Sequence, residues 1–115
     1  MEHEFQDLPI WQKSIELVRK VYELTEMLLN KNKHKILIDR MVSSVISFGI
    51  ILAKVEVSKD ETVRKKHLAI VKDLKIELLA ELEICKVLEI VPLTDRNYPD
   101  GIRNLIGEID EMLNH

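Results

Sequence analysis

Apolar residues recur along this chain at steps of three and four, the period of an α-helix. Two adjacent rows do so near the start: Trp11, Ile15, Val18, Tyr22, Thr25 and Leu29, and beside them Ile10, Ser14, Leu17, Val21, Leu24 and Leu28. Lys13, Glu16, Arg19, Lys20, Glu23 and Glu26 fill the opposite face. The pattern predicts an amphipathic helix over 8–30, with Asp7 capping its amides and Pro9 tolerated in its first turn. A polar, basic connection follows. The second predicted helix, 34–57, is apolar around nearly its whole circumference, relieved in the centre by Ser43, Ser44, Ser47 and Gly49. Such a helix must be covered on more than one side. Its own bundle supplies one cover and a neighbouring subunit the other, with Ile46, Ile50, Ile51 and Val55 assigned to that outer contact.

Ser58-Lys59-Asp60-Glu61 matches a capping box and opens a third helix over 59–90. Its inner row is Val71, Leu74, Leu78, Leu82, Cys85 and Leu88, flanked by Ile76, Ala80, Ile84, Val87 and Val91. Pro92 ends it. After one longer loop, Ile102, Leu105, Ile106, Ile109, Met112 and Leu113 mark a fourth helix over 99–113. Short connections force antiparallel neighbours, so the expected fold is all-α: a single domain, 1–115, built as an up-down-up-down four-helix bundle.

Composition agrees with that reading. Of 115 residues, 46% are hydrophobic and 32% charged, with three glycines and three prolines, too little turn punctuation for an all-β chain. Charge adds something new. The net is −3, but residues 31–75 carry eleven bases and five acids, while both flanks are acidic. Lys31, Lys33 and Lys35 lie in the first connection, and Arg64, Lys65, Lys66, Lys72 and Lys75 on the third helix. These eight are the candidate contacts for nucleic acid or another anionic partner, as two separate patches that an oligomer would multiply. The lone Cys85 excludes an internal disulfide and fits a reducing cytoplasm. The acidic start lacks the pattern of a signal peptide. The longest uncharged run, Met41 to Ala53, is thirteen residues, short of the ~20 a bilayer span needs, so no membrane partner is expected.

The sequence carries no recognisable catalytic constellation. A di-iron bundle wants Glu-x-x-His pairs, and none precedes His3, His34, His67 or His115. One cysteine and scattered histidines do not make a zinc site. Gly49, Gly101 and Gly107 are isolated, so there is no phosphate loop. Cys85 reads as a core residue, and Glu77, Glu81 and Glu83 as a charged helix face. No enzyme activity, cofactor, metal or small-molecule substrate is expected.

A family resemblance adds to this. Phe5-Gln6-Asp7-Leu8-Pro9-Ile10-Trp11-Gln12-Lys13-Ser14, continued by Val21-Tyr22-Glu23-Leu24-Thr25, resembles the opening of the bacterial four-helix-bundle proteins encoded in intervening sequences of large-subunit ribosomal RNA genes. Leu68-Ala69-Ile70-Val71-Lys72, Glu77-Leu78 and Glu81-Leu82-Glu83-Ile84 are similar to that family's third helix. The resemblance covers roughly 5–91. The family's polar Asn and Glu-Gly positions on helix 2 fall here on Ile51, Lys54 and Val55. The resemblance implies a homopentameric, barrel-like ring without catalytic activity. It also implies kinship with the accessory variability protein of diversity-generating retroelements, a pentamer that binds nucleic acid and a reverse transcriptase.

Overall fold

Pro9 opens α1 (Pro9–Met27) at a position whose N–H has no helical partner, so the ring does no harm there. The remaining elements are α2 (Lys35–Val57), α3 (Glu61–Val87), a short 3-10 turn at Leu93–Asp95, and α4 (Tyr98–Leu113). These come from a computed structural model that describes residues 5–114; His3 and His115 lie outside the described residues. No strand occurs among the described residues, as the helical periodicity predicts.

The helix ends differ from expectation. Leu8, not Asp7, is the N-cap of α1, and no side chain caps it. Ser58 does not cap α3. Asp60 does, its Oδ1 accepting from the amides of Thr62 at 2.8 Å and Val63 at 3.1 Å. α1 stops three residues before Asn30, which takes a left-handed φ of 54°. α3 stops at Val87, and Glu89 takes φ 56°. There the Glu89 amide donates to Lys86 O at 3.0 Å and the Ile90 amide to Cys85 O at 3.2 Å. That is a Schellman ending, usually built on glycine. Ile90 then turns inward, and its carbonyl accepts the Leu29 amide at 2.8 Å, tying the end of α1 to the end of α3.

The pairings establish an antiparallel bundle. Ser44 meets Glu81 and Met41 meets Cys85 across α2 and α3. Lys13–Glu108 and Tyr98–Glu23 join α1 to α4. Lys75–Asp110, Arg103–Glu83 and Lys86–Asp100 close the α3/α4 seam with ion pairs. In each case the residue numbers rise on one helix as they fall on the other.

Packing selects among the apolar rows. On α1 the row Ile10, Ser14, Leu17, Val21, Leu24 and Leu28 is buried throughout, whereas Trp11 is half-buried and Tyr22 exposed. The first row is therefore a flank. Met41, Val45, Phe48, Leu52 and Val55 face inward from α2, and Leu78, Leu82 and Cys85 from α3. Each fully buried large aliphatic contributes roughly 1.5–3 kcal/mol of burial. Gly49 is buried where α1 passes close, 3.8 Å from its would-be Cβ to Val18 Cγ2. By length and composition α2 could cross a bilayer, but its inner row is the core of this bundle.

Candidate partner-binding surfaces

Helical spacing puts Ile36, Ser43, Ser47 and Ile50 on the side of α2 turned away from its buried row, and all four are exposed. Ile36 is 80% exposed. On α3 the predicted flank Ile76, Ala80, Ile84 and Val87 is outward as well, with Ile76 at 62% and Val87 at 72%. The two stripes adjoin: Ile36, Leu37 and Arg40 line one cleft with Glu81 and Ile84. The four residues assigned to an outer contact divide. Ile46 and Ile50 are exposed, but Ile51 and Val55 are buried in the bundle's own core. They share the inner arc with Phe48 and Leu52, one turn apart, and so cannot reach a neighbour. The α3 stripe, not those two, completes the outer apolar face.

At the inner edge of this face lies Glu81, which sequence pattern alone places on a charged face. It is 4% exposed. Its Oε2 accepts the Ser44 hydroxyl at 3.0 Å and sits 3.9 Å from Arg40 Nε, and Oε1 is buried without a hydrogen-bond partner. Burial pushes its carboxyl above the usual range; the Ser44 hydrogen bond opposes this, Glu77 adds to it and Arg40 opposes it. A signal for this was present: residue 81 falls three after Leu78 and seven after Leu74, within the apolar arc.

The basic candidates occupy opposite ends. The Leu29–Ile90 hydrogen bond holds Lys31, Lys33 and Lys35 at the carboxyl end of α3. Arg64, Lys65 and Lys66 occupy the amino end of α3, and Lys72 and Lys75 lie between. Lys31 is paired with Glu26 at 3.2 Å and Lys75 with Asp110 at 3.3 Å. Among the described residues, no acid pairs with the other six. Arg64, Lys65 and Lys66 sit within two turns of a helix amino terminus, where cations oppose the helix dipole by about 0.3–1 kcal/mol each in the first turn and less beyond it.

Burial raises the Cys85 thiol to about 11, with Glu81 adding to the rise, so the sulfur stays protonated against Met41 Sδ at 3.5 Å. Among the described residues no group of three or more His, Cys, Asp or Glu side chains is arranged to hold a metal. No protein-family model and no curated protein matches the chain.

Proposed function

We propose that the protein is a non-catalytic, cytoplasmic scaffold that assembles with copies of itself through the outer α2/α3 face and binds nucleic acid, or a reverse transcriptase, through its basic patches. One observation carries the self-association. Among the described residues twelve large hydrophobic ones are exposed, of which eight lie on α2 or α3 (Ile36, Ile46, Ile50, Val63, Ile70, Ile76, Ile84 and Val87) and none on α4. Apolar surface so concentrated on one side marks an interaction site. Two adjacent helices, α2 about 34 Å long and the pair about 20 Å wide, offer about 700 Å². A stable pairing needs about 800 Å² per partner. A second copy suits the charges: Arg40 and Lys54 with Asp73 and Glu77 give the face both signs.

The resemblance over residues 5–91 supports a five-membered ring and kinship with the retroelement accessory protein. A ring would repeat Arg64, Lys65 and Lys66 around one rim and Lys33 and Lys35 around the other. Fluorescence anisotropy with labelled single-stranded RNA over a salt series tests the nucleic-acid part. Affinity should fall steeply with salt, and Arg64→Ala/Lys65→Ala/Lys66→Ala should flatten the slope, by about 0.7 for each single-strand phosphate that these side chains neutralise. The ion pairing of Lys31 and Lys75 favours a second reading, a structural interaction module of a mobile or intervening element. Absence of binding at low salt, or binding indifferent to salt, selects that reading.

A further inference from the structure

Glu81 sits in an apolar layer with too few partners to hold a charge comfortably. One oxygen has the Ser44 hydroxyl and the edge of Arg40; the other has nothing. A buried carboxylate lacking partners is far costlier than the neutral acid. The charged and titratable groups around it are few. From α2 comes Arg40, which also reaches Glu77 Oε1 at 3.6 Å. From α3 come Glu77 and the Cys85 thiol. Lys33, His34 and Lys35 rim the same cleft of about 590 Å³, which among the described residues is lined by nothing from α1 or α4.

Arg40, Glu77 and Glu81 together carry −1 when both acids are ionised and zero when Glu81 holds a proton. Arg40 and Glu77 now face water, with side chains 64% and 45% exposed, and solvent screens the imbalance. The cleft lies inside the outer α2/α3 face. A second copy seated there removes that water, while Lys33 and Lys35, exposed at the rim, keep theirs, and only the neutral trio is then inexpensive to cover. We propose that assembly through this face takes up one proton per protomer at Glu81, so that the oligomer tightens as pH falls. The inference rests on the self-association proposed above.

The sign follows from linkage. Covering the cleft raises the carboxyl further, above its already raised value in the free protomer. The assembled state therefore binds more protons. Association strengthens as pH falls from the assembled-state value towards the free-protomer value, and is flat outside that window.

Sedimentation velocity over a dilution series from about pH 5 to about pH 8 reads the effect. The dissociation constant per added subunit should tighten up to about tenfold for each pH unit lost within the window. Glu81→Gln imitates the neutral acid and should assemble at every pH as tightly as the native chain does below the window, without pH dependence. His34→Asn removes the imidazole at the rim of the cleft and should keep the slope. A slope that persists in Glu81→Gln, vanishes in His34→Asn, or is absent from an oligomeric native chain overturns the coupling alone. A monomer at every pH and concentration overturns the self-association and the coupling with it. The native chain supplies a check independent of any variant's folding. The Glu81 carboxyl carbon, followed by NMR, should titrate at higher pH in concentrated than in dilute protein; an unmoved midpoint between monomer and oligomer contradicts the proposal.

Discussion

Replacing Glu81 by methionine should make the protomer more stable, although it deletes a buried hydrogen bond. The wild-type side chain has one buried oxygen with no partner. Leaving such a group unsatisfied costs about 1–3 kcal/mol. The substitution also removes the 3.0 Å bond from Ser44, worth about 0.5–1.5 kcal/mol between neutral groups and about 1.5–3 kcal/mol to a carboxylate. Ser44 keeps an outlet, because a helical serine can donate to the carbonyl one turn earlier, that of Arg40. Methionine fills a similar volume with an adaptable thioether, beside Met41 and Cys85. For the protonated acid the balance is a gain of about 1 kcal/mol. The pH dependence is the sharper part. Glu81's carboxyl is raised in the folded chain, so its contribution is fully present below the unfolded-chain value and is lost as pH rises through the folded one. The advantage of methionine should therefore be larger at about pH 8 than at about pH 5. Urea unfolding followed by far-UV circular dichroism, at one dilute protein concentration and both pH values, measures it. A loss above about 1 kcal/mol at the higher pH, or an advantage that shrinks as pH rises, would refute the reasoning.

Other substitutions test the fold. Leu82→Ala, at a fully buried site, should cost about 2–5 kcal/mol in urea unfolding. Glu89→Gly removes the left-handed strain at φ 56° and should raise stability by about 0.5–1 kcal/mol, read as a higher urea midpoint with unchanged slope. Gly107→Ala, where a Cβ meets nothing within 4 Å, should add about 0.8–1 kcal/mol of helix propensity, visible as a raised melting temperature.

The four helices are legible from periodicity because each has a continuous inner row. Their ends are less so. Glycine would have announced the left-handed residues that follow α1 and close α3, but Asn30 and Glu89 hold those positions. Ser58 and Asp60 are both good caps two residues apart, and local pattern could not choose between them. Where two apolar rows adjoin, as on α1, their inner and flanking order depends on where the other helices sit. That is a tertiary fact, and it left Tyr22 outside and Leu17 inside. The candidate face shows the same limit. An all-round apolar α2 signals an outer contact, yet Ile51 and Val55 belong to the core, and the matching stripe on α3 reads from sequence as a mere flank. Glu81 was hidden by its charge: a carboxylate is expected in water, and only the facing Ser44 and the apolar arc around it explain its burial.

The mass of the native chain in solution tests the central claim most directly. Light scattering at micromolar concentration should return a multiple of the 13.4 kDa protomer, held together by the outer α2/α3 face, and Ile50→Asp with Ile84→Asp should reduce it to one. A 13.4 kDa particle from the native chain at every concentration, with or without RNA, would contradict it.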